Sequence, residues 1–113
     1  MTTVMRLSGM LMLTLPLTLV AARAQAQVAG AAVYATQKCS LCHSLGGRGN
    51  VKGPLDEVGA KLTADDIRKW ITTPAEMTAK STSTRKPAMR AYPNLPKVDL
   101  DALVTYLSAQ KTK

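Results

Sequence analysis

Both cysteines and the single histidine of this chain stand within five consecutive positions, Cys39-Ser40-Leu41-Cys42-His43. No other feature limits the possible folds so tightly, because it commits the chain's thiols and its imidazole to one place. A disulfide, a metal site and a covalently attached cofactor are the three readings. A disulfide across two residues staples almost nothing, since the entropic benefit of a cross-link grows with the loop it closes. A thioredoxin-like redox pair calls for a βαβ setting, and no alternating β-branched run flanks the motif. Structural zinc takes four closed ligands, and there is no second Cys or His pair to complete the set.

The chain has 113 residues, enough for one domain. Residues 1–26 read as a secretory signal peptide. Arg6 supplies a basic start, "LSGMLMLTLPLTLVAA" is apolar and broken by Pro16, and "ARAQAQ" offers small residues to a peptidase. Cleavage is expected after Ala24 or Ala26. The apolar run falls short of the roughly 20 residues of a spanning helix, so no stable membrane insertion is expected after processing; an uncleaved anchor is the alternative. Export suits a disulfide as well as a cofactor, because the compartment outside the inner membrane is oxidising. The remaining domain, residues 27–113, keeps a net charge of +6 once Arg6 and Arg23 are subtracted from the +8 of the whole chain. A domain of that size buries a small core and needs a staple. With one Trp, three Tyr and no Phe, its own aromatic supply is thin.

C-x-x-C-H as a c-type haem attachment meets each of these conditions. The two thiols would add across the haem vinyl groups as thioethers, and His43 would lie under the iron as proximal ligand. Haem is attached after export, and it would supply the large flat hydrophobe the sequence lacks.

The flanking segments read as helices. "QVAGAAVYATQK" runs helically into the motif, with Gly30 and Tyr34 on one face. "SLGGRGNVKGP" is a glycine-rich loop. In "LTADDIRKWITTP" Thr63 and Asp66 have capping-box spacing, Ile67, Trp70 and Ile71 share a face, and Pro74 ends the run. "PAEMTAKSTSTRKPAM" reads as a long polar loop. "KVDLDALVTYLSAQK" is the clearest helix, with a stripe of Leu100, Leu103, Val104 and Leu107. Asp99 and Asp101 stand in its first turn and Lys111 near its end, complementing the helix dipole. No strand pattern of useful length occurs, so the class is all-α.

With His43 spent on one side of the iron, the other side needs a ligand, and no second histidine exists. After processing only Met77 and Met89 remain. Met89 lies between Pro87 and Pro93, in a loop that prolines stiffen enough to hold a thioether at small entropic cost. Met77, next to a helix end, reads as packing. The alternative is that both methionines are core residues and the site is open or held by Lys.

These segments together resemble a bacterial class I cytochrome c over nearly all of the mature length. The resemblance rests on "CSLCH", "KGPL", "DIRKWITTP", "KPAM" and "LDALVTYL", in that order. It implies a small cytochrome c fold, three to five helices wrapped round one haem c. It matches Cys39 and Cys42 to the attachment thiols, His43 to the proximal ligand and Met89 to the distal one. It matches Pro54 to the residue whose carbonyl accepts the free ring N–H of His43, and Trp70 to the aromatic position facing the distal methionine. It also implies that the terminal helices cross, with Gly30 and Tyr34 meeting Leu103, Tyr106 or Leu107. Three departures stand out. Tyr34 precedes Cys39 by five residues where four is more usual, the tryptophan that serves a haem propionate has no counterpart (Leu62 falls near it), and the loop before Met89 is long.

The function expected is periplasmic, soluble one-electron transfer, without separate catalysis: the chain holds no carboxylate pair, Ser-His-Asp set or phosphate loop suggesting it. Lys80, Arg85, Lys86, Arg90 and Lys97 surround the Met89 segment, and Lys38, Arg48 and Lys52 surround the motif. Such a rim steers an acidic redox protein. Nucleic acid is not expected, given the leader and the lack of aromatic–basic interleaving. Two alternatives remain: a cytochrome subunit bound permanently to a periplasmic dehydrogenase or oxidase, and a ligand-binding or peroxidatic haem protein with an open sixth position.

Overall fold

A computed structural model of the chain describes residues 15–112, with side chains from Leu17 onward. Residues 1–14 of the expected leader lie outside the described residues. Its remainder forms the start of the first helix, α1 (Leu15–Thr36), a stretch rich in alanine, the strongest helix former. Side chains from Leu17 to Gln25 are exposed. From Gly30 onward α1 turns a face inward, against the last helix, α5 (Lys97–Ser108).

Gly30 makes that crossing close. A Cβ placed there would overlap Tyr106 Cβ and the Ala102 carbonyl oxygen. One turn on, Tyr34 meets Tyr106 edge-on, ring centroids 6.1 Å apart at 61°, a favoured aromatic geometry. The expected terminal-helix crossing is therefore present, built on Ala102 and Tyr106. Of the predicted stripe on α5, Leu103, Val104 and Leu107 are buried and Leu100 is half-buried. Asp99 lies in the first turn, but the helix stops at Ser108, so Lys111 lies beyond it.

Helix α3 (Ala64–Thr72) begins with the predicted capping box. The Asp66 amide donates to Thr63 Oγ1 at 3.1 Å, and the Thr63 amide donates to Asp66 Oδ2 at 3.4 Å. Its Ile67 and Ile71 complete a core with Tyr34, Leu103, Val104 and Leu107. Asp101 ties the elements together, 2.7 Å from Arg68 on α3 and 2.5 Å from Lys97 on its own helix.

Three elements depart from the sequence reading. The segment from Pro74 is helical as far as Lys80 (α4) before the loop begins. Pro74 ends α3 as expected, yet at the first helical position its missing N–H costs nothing and its fixed φ favours a new helix; Glu76 and Lys80 suit the dipole at either end. A short α2 (Val58–Lys61) precedes α3, too brief for its periodicity to show. The glycine loop contains a two-residue hairpin, β1 (Ser44–Leu45) against β2 (Arg48–Gly49), turned at Gly46 and Gly47 with φ of 57° and 76°. Positive φ at both turn residues matches the strand twist and favours glycine. The five helices among the described residues keep the all-α class.

Candidate haem site

The attachment motif leaves α1 through Lys38, whose φ of 55° is left-handed, and winds into a 3-10 turn over Cys39–Leu41. The Cys42 and His43 amides both donate to the Cys39 carbonyl, at 3.1 and 2.9 Å. This tight turn sets two free thiols and an imidazole on one short segment. Cys39 is half-buried, Cys42 exposed and His43 half-buried. Burial pushes the Cys39 thiol up, its own backbone bond opposing. Burial pulls His43 down, the Gly53 bond opposes, and the Arg85 charge adds to the depression.

His43 Nδ1 lies 3.1 Å from the Gly53 carbonyl oxygen. A carbonyl can only accept, so Nδ1 carries the proton and Nε2 keeps its lone pair for a metal. The acceptor is thus Gly53, one residue before the Pro54 carbonyl that the sequence suggested. The reason is the local pairing. Ser44 bridges Pro54 in parallel, its amide donating to Gly53 O at 3.0 Å and its carbonyl accepting from Leu55 N at 2.9 Å. The flanking residues therefore face the motif, and the carbonyl of Pro54 itself points the other way.

The other carbonyls of the turn are satisfied from two directions. Asn50 is the first: its amide reaches Ser40 O (3.1 Å) and His43 O (2.9 Å), and its Nδ2 reaches Leu41 O (3.2 Å). The second is Arg85, whose guanidinium donates to Cys42 O. Asn50 and Gly53 were not marked out by the sequence, and Arg85 only as one cation of the basic rim. An Asn in a glycine-rich loop hints at a local turn, as its Oδ1 bond from Lys52 N bears out, but nothing distinguishes Arg85 from the other cations around it.

Met89 and Met77 differ in surroundings. Met89 is half-buried and packs against the apolar core, as do Cys39, Leu45, Leu55, Leu62, Tyr92 and Leu95. Met77, half-buried on α4, is not among the side chains packed there, and neither is the half-buried Trp70. The Met89 loop is anchored by the Tyr92 amide, which donates to Ile71 O at 2.9 Å, and by the Tyr92 hydroxyl near Gln37 O.

The residues fit a haem. The thiol spacing, the free Nε2 and a thioether on the same core form a suitable donor set. Among the described residues no large side chain is completely sealed. A ring of half-exposed apolar side chains surrounds the core instead, a surface that a flat hydrophobe would cover.

Comparison with known proteins agrees. Residues 25–107 match the family model described as cytochrome c oxidase, cbb3-type, subunit III. Searches of curated proteins and of solved structures gave no match. The chain belongs to that family: it is a c-type cytochrome whose haem c is held covalently through Cys39 and Cys42, and its function is haem-based electron transfer.

Proposed function

We propose that the mature protein, residues 27–113 after removal of a signal peptide at Ala24 or Ala26, is a soluble periplasmic one-electron carrier whose iron is held by His43 and Met89. The observation that carries this reading is the packing of Met89, and not Met77, on the core that Cys39 also joins. Haem supplies the redox chemistry, taking up and releasing one electron at its iron. The chain does the rest. Gly53 fixes the His43 ring and makes it a better donor. The Met89 thioether favours the reduced iron, and apolar cover raises the potential further. The resemblance gives Trp70 the aromatic position facing Met89, and Pro54 stiffens the bridged segment that presents Gly53. With His43 and Met89 both holding the iron, no position would be left on it for a substrate.

The partner is a redox protein with an acidic docking surface. Among the described residues the four ion pairs engage Lys61, Arg68, Lys69 and Lys97, leaving Lys38, Arg48, Lys52, Lys80, Lys86 and Arg90 without a carboxylate. Those cations flank the motif and the Met89 loop, where they steer encounter.

A second reading, a permanent subunit of an oxidase or dehydrogenase complex, is favoured by the description of the matching family. Purification under native conditions separates the two. A carrier is recovered alone, and its electron exchange with an acidic redox protein slows as salt rises. Recovery only within a larger complex, or exchange indifferent to salt, contradicts the carrier.

A further inference from the structure

Arg85 lies in the loop between α4 and α5, four positions before Met89, yet its guanidinium rests on the opposite piece of the site. It donates to the Cys42 carbonyl. It also occupies the space beside Gly53 where a Cβ would stand: an added Cβ there would overlap Arg85 Nη1 and the Cys42 oxygen. The absence of a side chain at Gly53 therefore makes room for the guanidinium beside the carbonyl that His43 uses. Arg85 is half-buried while its neighbours Thr84, Lys86 and Pro87 are exposed. Its positive charge also acts on His43.

We propose that Arg85 is a positioning residue, a clamp that fastens the Met89 loop to the haem-attachment turn, keeps the methionine on the iron and raises the reduction potential with its charge. The proposal rests on the reading of Met89 as distal ligand. Loss of a hydrogen bond from a charged donor is expected to raise the open-loop population about tenfold or more. A fixed cation beside the proximal ligand opposes the extra positive charge of the oxidised iron, so its removal lowers the potential.

The test uses the holoprotein and imidazole as an external ligand for ferric iron, whose apparent affinity scales with the fraction of open loop. Arg85→Gln is expected to bind imidazole about tenfold more tightly than the wild type. It is also expected to have a lower potential than Arg48→Gln, which removes one exposed charge from the hairpin. Arg85→Lys restores the potential but only part of the closure, because an ammonium lacks the planar fork. In a Met89→Ala background, Arg85→Gln adds nothing to imidazole affinity, since the position is already open. Wild-type imidazole affinity in Arg85→Gln, or an undiminished effect of Arg85→Gln without Met89, overturns the clamp. If Met89→Ala alone leaves imidazole affinity unchanged, the ligand reading is what fails, and the clamp falls with it.

Discussion

Gly30 and Tyr106 share a contact in which there is room for no Cβ on the glycine, because Tyr106 Cβ and the Ala102 carbonyl already fill that place. Two effects oppose each other in Gly30→Ala. Helix propensity favours alanine by about 1 kcal/mol, whereas overpacking at a contact with backbone costs about 1–3 kcal/mol. The overlap involves a carbonyl and a Cβ, which move only with their helix, so the steric effect wins. Gly30→Ala is expected to lower the denaturant midpoint of the holoprotein; an unchanged or raised midpoint would show that α1 and α5 separate freely.

Tyr34, beside this contact, has a buried hydroxyl without a hydrogen-bond partner among the described residues. Burial, with smaller contributions from Cys39, Tyr106 and Asp56, pushes its phenol up to about 12. Tyr34→Phe removes an unsatisfied donor while keeping the ring against Tyr106. A gain of about 1 kcal/mol is expected from chemical unfolding; a loss of similar size would mean that the hydroxyl has a partner in the holoprotein.

The capping box of α3 gives a third test. Thr63→Ala removes the oxygen that accepts the Asp66 amide and is expected to cost about 1 kcal/mol. The visible spectrum should not change, because the cap lies at the far end of α3 from the Tyr92 anchor at Ile71.

Asp101 links stability to pH. Its bonds to Lys97 and then Arg68 hold the carboxyl below the usual carboxylate range. A folded-state value below the unfolded one stabilises the protein above the unfolded value, near pH 4, and that contribution is lost as pH falls through the folded value. Thermal melts should therefore show Asp101→Asn less stable than the wild type at neutral pH, with the gap closing below roughly pH 4. A constant gap across that range would contradict the assignment.

The sequence made legible whatever depends on local spacing. The motif, the Thr63–Asp66 cap and the α5 stripe follow from spacings of a few residues, whereas the crossing of Gly30 and Tyr34 with Leu103, Tyr106 or Leu107 was implied by the resemblance alone. The features that escaped are those set by chain path. Whether Gly53 or Pro54 faces His43 depends on the pairing of Ser44 with Pro54, which no single-sequence pattern encodes. The reach of Arg85 to Cys42 spans 43 positions and belongs to the fold of a loop. Helix α4 was hidden because Pro74, read as a stop for α3, is equally a start.

The most direct test of the account is the optical spectrum of the holoprotein, ferric alone and then ferrous under carbon monoxide, for the wild type, Met89→Ala and Met77→Ala. Methionine ligation by Met89 predicts the weak far-red sulfur–iron band in the wild type and in Met77→Ala, its loss in Met89→Ala, and carbon monoxide binding only in the last. A wild type that lacks the band and binds carbon monoxide, or a band abolished by Met77→Ala and kept in Met89→Ala, would contradict it.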